Sequence, residues 1–299
     1  MRSLLYAFLL GLTIPLWTIA QTPTPLWSRG YSVIPAPQKV QLLDGDIVLD
    51  GNWSIEAGRL PANHISVRTL AEGLAMRQAS GATKLIHLDV EPHSVISGGD
   101  SAIDEQAYRL HVEEGRINIT GNGQSGLFYG VQTLLQLAKR DASGRMVVPK
   151  VEIEDWPKLQ LRFLHWDTKH HQDRIETLKR YLDEAARYKV NMIGFELEDK
   201  FAYPSHPSIG APGAFTTSQL QEIVDYGLER YIQVVPIIQA PAHMAYVLKH
   251  PEFADLRSDG CNYMSCTCDP RLYDLLFSMF DDVINATKGV DYVFASTDE

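Results

Sequence analysis

The feature that most constrains the fold is a regular alternation of apolar and amphipathic segments from Arg162 to the end of the 299-residue chain. Short apolar runs indicate strands, and apolar residues at helical spacing between them indicate helices. Repeated strand and helix units predict a parallel β-sheet, whose commonest closed form is an eightfold barrel. The predicted strands are 162–167, 190–197, 232–238 and 291–295, and the predicted helices are about 173–188, 217–230 and 270–287.

The last segment, 289–299, joins an apolar run to two adjacent acidic residues, Asp298 and Glu299. The apolar run predicts a fully buried strand. In barrels of alternating strands and helices, reacting groups lie where strands end and loops begin. We therefore expect the two acids to face a pocket, although the dipeptide alone also fits a solvated loop or a helix start.

The first twenty residues have the pattern of a secretory signal. Arg2 precedes an apolar stretch, and 18–20 has the small residue expected at a cleavage point. A membrane anchor is the alternative, which Pro15 and the short apolar core disfavour. The sequence therefore predicts a signal peptide over 1–20, a linker over 21–30 and a secreted or periplasmic protein with no membrane span after signal removal.

Residues 31–155 predict a separate, small α+β domain. Alternation with a period of two indicates strands, and apolar residues three or four positions apart indicate helices. The segments around 113–115 are typical of a hairpin turn. The predicted strands are 39–43 and 46–49 joined by a turn, 84–90, 107–112 and 116–120, and the predicted helices are about 65–78 and 126–137.

Composition and charge exclude several classes of partner. With 45% hydrophobic and 21% charged residues, the chain is typical of globular proteins. The formal net charge is -10 and no run of Lys or Arg occurs, so neither nucleic acid nor an anionic membrane surface is an expected partner. A neutral ligand fits better, and the oligomeric state is not predicted.

Three cysteines, Cys261, Cys266 and Cys268, lie within one short stretch of the chain. In an exported protein, one disulfide and one free thiol are favoured over a metal site. No histidine stands beside them in sequence to complete a zinc ligand set. We therefore expect neither a metal nor a cofactor.

From about residue 31 to its end, the chain resembles glycoside hydrolase family 20, the β-N-acetylhexosaminidases. The small domain is similar to the non-catalytic domain that precedes the barrel in this family. The barrel segment carries the more specific motifs, in the family's order at the ends of the first four strands. These motifs are Arg162 to Asp167, Asn191 to Asp199, Pro236 to His243, and Asp298-Glu299.

The resemblance implies an α/β fold in which 156–299 is the first half of a (β/α)8 TIM barrel with four of its strands. It also implies substrate-assisted hydrolysis of a glycan or an oligosaccharide that contains N-acetylhexosamine. Glu299 would act as general acid and then as general base. Asp298 would orient the 2-acetamido group, whose carbonyl oxygen attacks the anomeric carbon to give an oxazolinium intermediate. The implied substrate-binding residues are Asp199, His243, Asp167 and His170.

At three places the chain departs from the family's pattern. His170 replaces an arginine, Gly-Phe-Glu at 194–196 replaces His-Trp-His, and Ile237 and Gln239 replace acidic residues. These departures bear on substrate identity more than on reaction type. The alternatives are a catalytically silent carbohydrate-binding protein or an inactive truncated fragment, and a glycosidase of another family that shares the small domain. With only four strands, the second half could also be a smaller open sheet, but the abrupt end of the chain favours a truncated barrel.

Overall fold

The computed structural model describes residues 24–76, 82–168 and 171–297. These residues form two sheets, a seven-stranded mixed sheet in the first half of the chain and a four-stranded parallel sheet in the second. The predicted signal over 1–20 and the site candidates His170, Asp298 and Glu299 lie outside the described residues. In the part that is described, no helix is long and apolar enough to cross a membrane.

The first sheet contains the predicted hairpin and a parallel extension. Its strands are β1 Lys39–Val48, β2 Trp53–Glu56, β3 Lys84–Val90, β4 Tyr108–Glu113, β5 Arg116–Gly121, β6 Lys139–Arg140 and β7 Met146–Asp155. Their order is β1-β7-β4-β5-β3-β2, with β6 paired to β7. Strands β4 and β5 pair antiparallel, as the sequence predicts, while β2, β3 and β5 run parallel to one another.

The predicted turn between 39–43 and 46–49 is wrong. Both segments belong to the single strand β1, and both pair with β7. Leu42 lies opposite Val151 and Asp46 opposite Pro149, so β1 bulges between these positions. Gly45 has a φ of +84° within the bulge. Gly and Asp, which are common in turns, here accommodate extra residues within one strand.

Four helices accompany the first sheet: α1 Pro25–Ser28, α2 Ile65–Gly73, α3 Ser101–Asp104 and α4 Gln124–Leu137. Helix α4 packs on the sheet, and Leu127, Val131 and Leu134 on it are fully buried. Helix α2 ends five residues before the predicted end, because the chain leaves the helix at Leu74. Apolar side chains of α4 and the sheet thus form the core of the first half, and this core is continuous with buried apolar residues of the second half.

At Gly126, in the first turns of α4, substitution by alanine is expected to have a strong effect on stability. A Cβ at this position would lie 2.2 Å from the carbonyl oxygen of Ala107, which is backbone and cannot turn away. Alanine is a better helix former than glycine by about 1 kcal/mol, but overpacking costs about 1–3 kcal/mol. We therefore expect Gly126→Ala to lower the free energy of unfolding measured in urea.

Gly51→Ala is the matched control for this substitution. A Cβ at Gly51 meets nothing within 4 Å, and the residue is not in the left-handed region. Its effect is expected to stay within about 0.5 kcal/mol. Equal stability of the two variants would contradict the close packing of α4 against the segment that contains Ala107.

The second half of the chain has the predicted alternation of strands and helices. The strands are β8 Phe163–Asp167, β9 Met192–Glu196, β10 Gln233–Gln239 and β11 Phe294–Ser296, and the helices are α5 Ile175–Arg187, α6 Thr217–Leu228, α7 Ala245–Leu248 and α8 Pro270–Asn285. The strands are parallel and lie in chain order, β8-β9-β10-β11. A capping box between Thr216 and Gln219 starts α6, and the Asp269 side chain caps α8.

The prediction that the last strand is fully buried is wrong. Residues 291–295 are all exposed, with Tyr292 at 42% and Val293 at 46%. Strand β11 is an edge strand that pairs only with β10 among the described residues, and Phe163 on the opposite edge strand is 46% exposed. Apolar composition therefore identifies the strand correctly here but does not indicate how much of it is covered.

A buried ion pair joins the two halves of the chain. Lys189, which follows α5, donates to Asp155 Oδ2 at the end of β7 (2.9 Å) and to the Tyr108 hydroxyl (2.8 Å). Burial lowers the pKa of the Lys189 ammonium, and the Asp155 carboxylate opposes this change. A cavity of about 320 Å³ lies beside this pair, lined in part by Trp156 and Arg162. The contact between the two halves therefore contains a buried polar cluster as well as apolar packing, such as that of Phe128 against Tyr231.

Candidate active site

The carboxyl ends of the four parallel strands meet at one edge of the second sheet. Asp167 ends β8 and lies opposite Glu196, the last residue of β9. Glu196 lies opposite Ile237 of β10, and Gln239, the last residue of β10, lies opposite Ser296 of β11. Because parallel strands in this register end together, their last side chains and the following loops share one surface.

Hydrogen bonds connect side chains of all four strands near this edge, and we name this set the cross-strand chain: His165, Glu196, Gln239 and Ser296. His165 Nε2 lies 2.9 Å from Glu196 Oε2, and Gln239 Nε2 donates to Glu196 Oε1 at 2.8 Å. The Ser296 hydroxyl donates to Gln239 Oε1 at 2.8 Å. Glu196 is fully buried, so these partners offset the cost of removing its carboxyl group from water.

The loop after β9 carries Asp199 in a short 3-10 helix, Glu198–Lys200. Glu198 has a φ of +43°, which turns the chain sharply as it leaves the sheet. Lys249 Nζ lies 3.0 Å from Asp199 Oδ2, and Lys200 pairs with Asp199 Oδ1. Burial alone would raise the pKa of the Asp199 carboxyl, but the hydrogen bonds from the two ammonium groups outweigh burial and lower it. Asp199 is thereby held as a carboxylate.

The loop after β10 carries His243, which is half-buried and has a φ of +57°. Its Nε2 lies 3.1 Å from the Tyr263 hydroxyl, and the two rings are 5.0 Å apart. The backbone nitrogen of Met244 also donates to the Tyr263 carbonyl at 3.1 Å. Since Lys249 follows the same loop and reaches Asp199, the structure brings the loops of His243 and Asp199 together.

Asp167 is the third predicted site residue that the structure describes. It is exposed at the end of β8, and the next residue, Thr168, donates through its hydroxyl to the Glu196 carbonyl at 2.6 Å. This bond fixes the start of the loop that leaves β8 against the end of β9. Asp167, Asp199 and His243 therefore follow three successive strands at the same edge.

Sequence reasoning missed three groups of this site. His165 and Ser296 were not candidates, and Tyr263 lies twenty residues from its partner His243. The available signal was the alternation of side chains along a strand, which places residues two positions apart on one face. Applied to β8, that rule puts His165 on the same face as Asp167. The register of β8 with β9 then puts Glu196 opposite Asp167.

The cysteine prediction differs from the structure, in which Cys261, Cys266 and Cys268 are all free thiols. The favoured disulfide is therefore not formed. The backbone separates the cysteines into different local structures: Cys266 N donates to Leu256 O at 2.7 Å, while Cys261 N donates to Asp259 Oδ1 at 3.0 Å. In the described ranges, no three His, Cys, Asp or Glu side chains are grouped to hold a metal ion.

Comparison with known proteins gives consistent matches in both halves of the chain. The model for glycosyl hydrolase family 20, domain 2, matches residues 30–156, and the model for the glycosyl hydrolase family 20 catalytic domain matches residues 160–299. A β-hexosaminidase of Porphyromonas gingivalis is 29% identical over 92% of this chain and 37% of its own length. A β-N-acetylhexosaminidase of Cellulomonas fimi is 30% identical over 71% of this chain and 47% of its own length.

Solved structures agree with these matches. The N-acetyl-β-hexosaminidase of Streptomyces plicatus, solved with Thio-NAglucal, has a TM-score of 0.72 and 26% identity, over 91% of this chain and 59% of that one. The chain thus spans between 37% and 59% of the length of these relatives. Two models of one family match consecutive halves of the chain, and relatives of that family match across both. The chain belongs to glycosyl hydrolase family 20.

Proposed function

We propose that this chain is part of an exported β-N-acetylhexosaminidase that removes terminal β-linked N-acetylhexosamine from a glycan. The observation that carries the proposal is the polar edge of the second sheet, where Asp167, Asp199 and His243 follow successive strands and β11 leads through Thr297 into Asp298-Glu299. Export is proposed from the signal-like pattern of residues 1–20.

We propose further that β8 to β11 are the first four strands of a (β/α)8 TIM barrel, over 156–299, preceded by the small domain at 31–155. The parallel order, with a helix before each following strand, supports this arrangement. The exposed apolar side chains on both edge strands, such as Phe163 and Phe294, also support it, because a closed barrel would cover them.

The proposed mechanism uses the substrate's own acetamido group as the nucleophile. Glu299 protonates the glycosidic oxygen while the acetamido carbonyl oxygen attacks the anomeric carbon, and the leaving alcohol departs. Asp298 orients and polarises the acetamido group and stabilises the positive charge of the oxazolinium intermediate. Glu299 then removes a proton from water, which opens the intermediate with net retention. A nearby ionised Asp298 also favours the protonated form of Glu299.

The described residues would support this chemistry from the pocket's rim. Asp199, held ionised by Lys200 and Lys249, supplies a fixed carboxylate, and His243, held against Tyr263, presents its ring at the neighbouring loop. Asp167 at the end of β8, and His170 three residues later in the sequence, are proposed to contact sugar hydroxyls. This edge of the sheet would therefore offer hydrogen-bonding groups to a neutral sugar.

A hydrolysis assay of the full natural chain with an aryl N-acetyl-β-glucosaminide tests this function. We expect turnover that a thiazoline mimic of the oxazolinium intermediate inhibits. Turnover that the thiazoline does not affect would indicate a glycosidase with another mechanism. Binding of the sugar without any turnover would instead identify a silent carbohydrate-binding protein.

We expect Lys249→Met to change the pH dependence of kcat/KM measured in the same assay. The substitution removes one of the two ammonium groups that lower the pKa of the Asp199 carboxyl, so this pKa rises. If turnover needs ionised Asp199, the acid limb of the kcat/KM profile shifts to higher pH. Lys288→Met, at an exposed lysine outside the site, is the control and should leave the profile unchanged. An unchanged acid limb in Lys249→Met would contradict a role for ionised Asp199.

A further inference from the structure

We propose that the cross-strand chain is a positioning device for the acidic end of β11, with Glu196 as its fixed point. This inference rests on the proposed function, since it assigns a role to residues that do not themselves contact the reacting atoms. It extends that function to a set of side chains that includes two departures from the family's pattern, Glu196 and Gln239. Three observations support it: burial, the direction of the hydrogen bonds, and the sparse support of β11.

Burial makes Glu196 a fixed point. Its side chain has no exposed surface, and each carboxyl oxygen has a partner, His165 for Oε2 and Gln239 for Oε1. The Thr168 hydroxyl donates to the backbone carbonyl oxygen of Glu196 at 2.6 Å. The backbone of Glu196 also lies in register between β8 and β10. A group with this many constraints in the centre of a sheet has little freedom to move.

The hydrogen bonds have a defined direction that starts at Glu196. Gln239 turns its amide NH2 toward Glu196, whose Oε1 accepts the bond at 2.8 Å. The amide oxygen of Gln239 then points toward β11, where it accepts from the Ser296 hydroxyl at 2.8 Å. The bond between β9 and β10 thus determines which group β10 offers to β11.

Strand β11 has few other supports at its carboxyl end. It is only three residues long, is bonded to a single strand among the described residues, and follows an exposed segment. The backbone of Ala240 donates to the Ser296 carbonyl at 3.1 Å, and the Ser296 hydroxyl adds the bond to Gln239. Ser296 precedes Asp298 by two residues in the sequence, so we infer that its hydrogen bond restrains the chain that leads to the acidic pair.

Loss of positioning has a large kinetic effect, because a displacement of about 1 Å can lower the rate about 100-fold. Loss of the Ser296 hydroxyl should therefore lower kcat more than it changes KM. If the chain positions Glu299 as the general acid, the loss should grow as the leaving group becomes more basic. A poor leaving group needs protonation, while an activated phenol does not.

The test compares Ser296→Ala, Glu196→Gln and Ser278→Ala in the full natural chain, with 4-nitrophenyl and phenyl N-acetyl-β-glucosaminides as substrates. Ser278 is the control, because its hydroxyl also bonds a side chain, His206 Nε2 at 2.8 Å, but lies on α8. We expect Ser296→Ala to lower kcat about tenfold for the phenyl substrate, less for the nitrophenyl substrate, with KM within about twofold and an unchanged melting temperature.

Glu196→Gln should lower kcat more than Ser296→Ala does, with the same dependence on the leaving group. The reason is that an amide at 196 no longer imposes one orientation on Gln239. When Ser296→Ala and Glu196→Gln are combined, the fold-decrease in kcat should be smaller than the product of the two single decreases, because both substitutions act through Gln239. Equal losses for both substrates, or a loss that only follows a lowered melting temperature, would overturn the inference.

The control separates the remaining outcomes. Full activity of Ser296→Ala and Glu196→Gln in a protein that turns over both substrates would overturn the positioning role and leave the proposed function intact. Absence of turnover in the unsubstituted protein would overturn both. Activity of Ser278→Ala is expected to equal that of the unsubstituted protein for both substrates.

Discussion

Replacement of Glu299 by glutamine is expected to lower kcat for phenyl N-acetyl-β-glucosaminide by about 100- to 10,000-fold. Glutamine has nearly the same shape but cannot donate a proton to the leaving oxygen or remove one from water, and general acid-base catalysis contributes about this factor. The measurement is steady-state hydrolysis by the full natural chain. KM should change much less than kcat, because the acid acts mainly in the transition state.

Glu154→Gln is the control for this variant. Glu154 lies on β7 in the first sheet, where it pairs with Lys39 and Arg109, far along the chain from the proposed site. Its removal is expected to leave kcat unchanged. Retention of full activity in Glu299→Gln would assign proton transfer to another group and remove the central residue of the proposed mechanism.

Replacement of Lys189 by methionine is expected to destabilise the protein by about 3–5 kcal/mol. The substitution leaves the Asp155 carboxylate, which is 7% exposed, without its cation at the interface of the two sheets. Removing one partner of a buried pair has this cost because the remaining charge is uncompensated. The measurement is the free energy of unfolding in urea.

Lys39→Met is the matched control. Lys39 also pairs with a carboxylate, Glu154, at 3.0 Å, but its side chain is 61% exposed. An exposed pair contributes about 0–1 kcal/mol, so the control should be nearly neutral. Combining Lys189→Met with Asp155→Asn should recover part of the lost stability, and no recovery would contradict the assignment of the cost to an unpaired carboxylate.

The strands and helices of the second half were predictable because their residues alternate in a way that local packing enforces. Strands β8, β9 and β10 and helices α5, α6 and α8 lie where the apolar spacing places them, with small shifts at their ends. The bulge in β1 was not predictable, because it depends on pairing with β7, about one hundred residues away. The exposure of β11 depends on which strands flank it, and composition carries no such information.

The site was predictable only in part, and the reason is register. The sequence identifies Asp199 and His243 as polar residues after strands, but the ion pair of Asp199 with Lys249 joins residues fifty positions apart. Glu196 and Gln239 were recognised as departures from the family's pattern. Only the pairing of β9 with β10 shows that these two departures contact each other, through the bond from Gln239 Nε2 to Glu196 Oε1.

The central claim is that the substrate's acetamido group is the nucleophile at the end of β11. The most direct measurement is kcat/KM of the full natural chain for 4-nitrophenyl β-glucosaminides whose N-acetyl group carries zero to three fluorine atoms. Fluorine withdraws electrons from the carbonyl oxygen, so the account predicts that kcat/KM falls steeply with each fluorine, with Glu299 and Asp298 unchanged. A kcat/KM that does not depend on fluorination would contradict it.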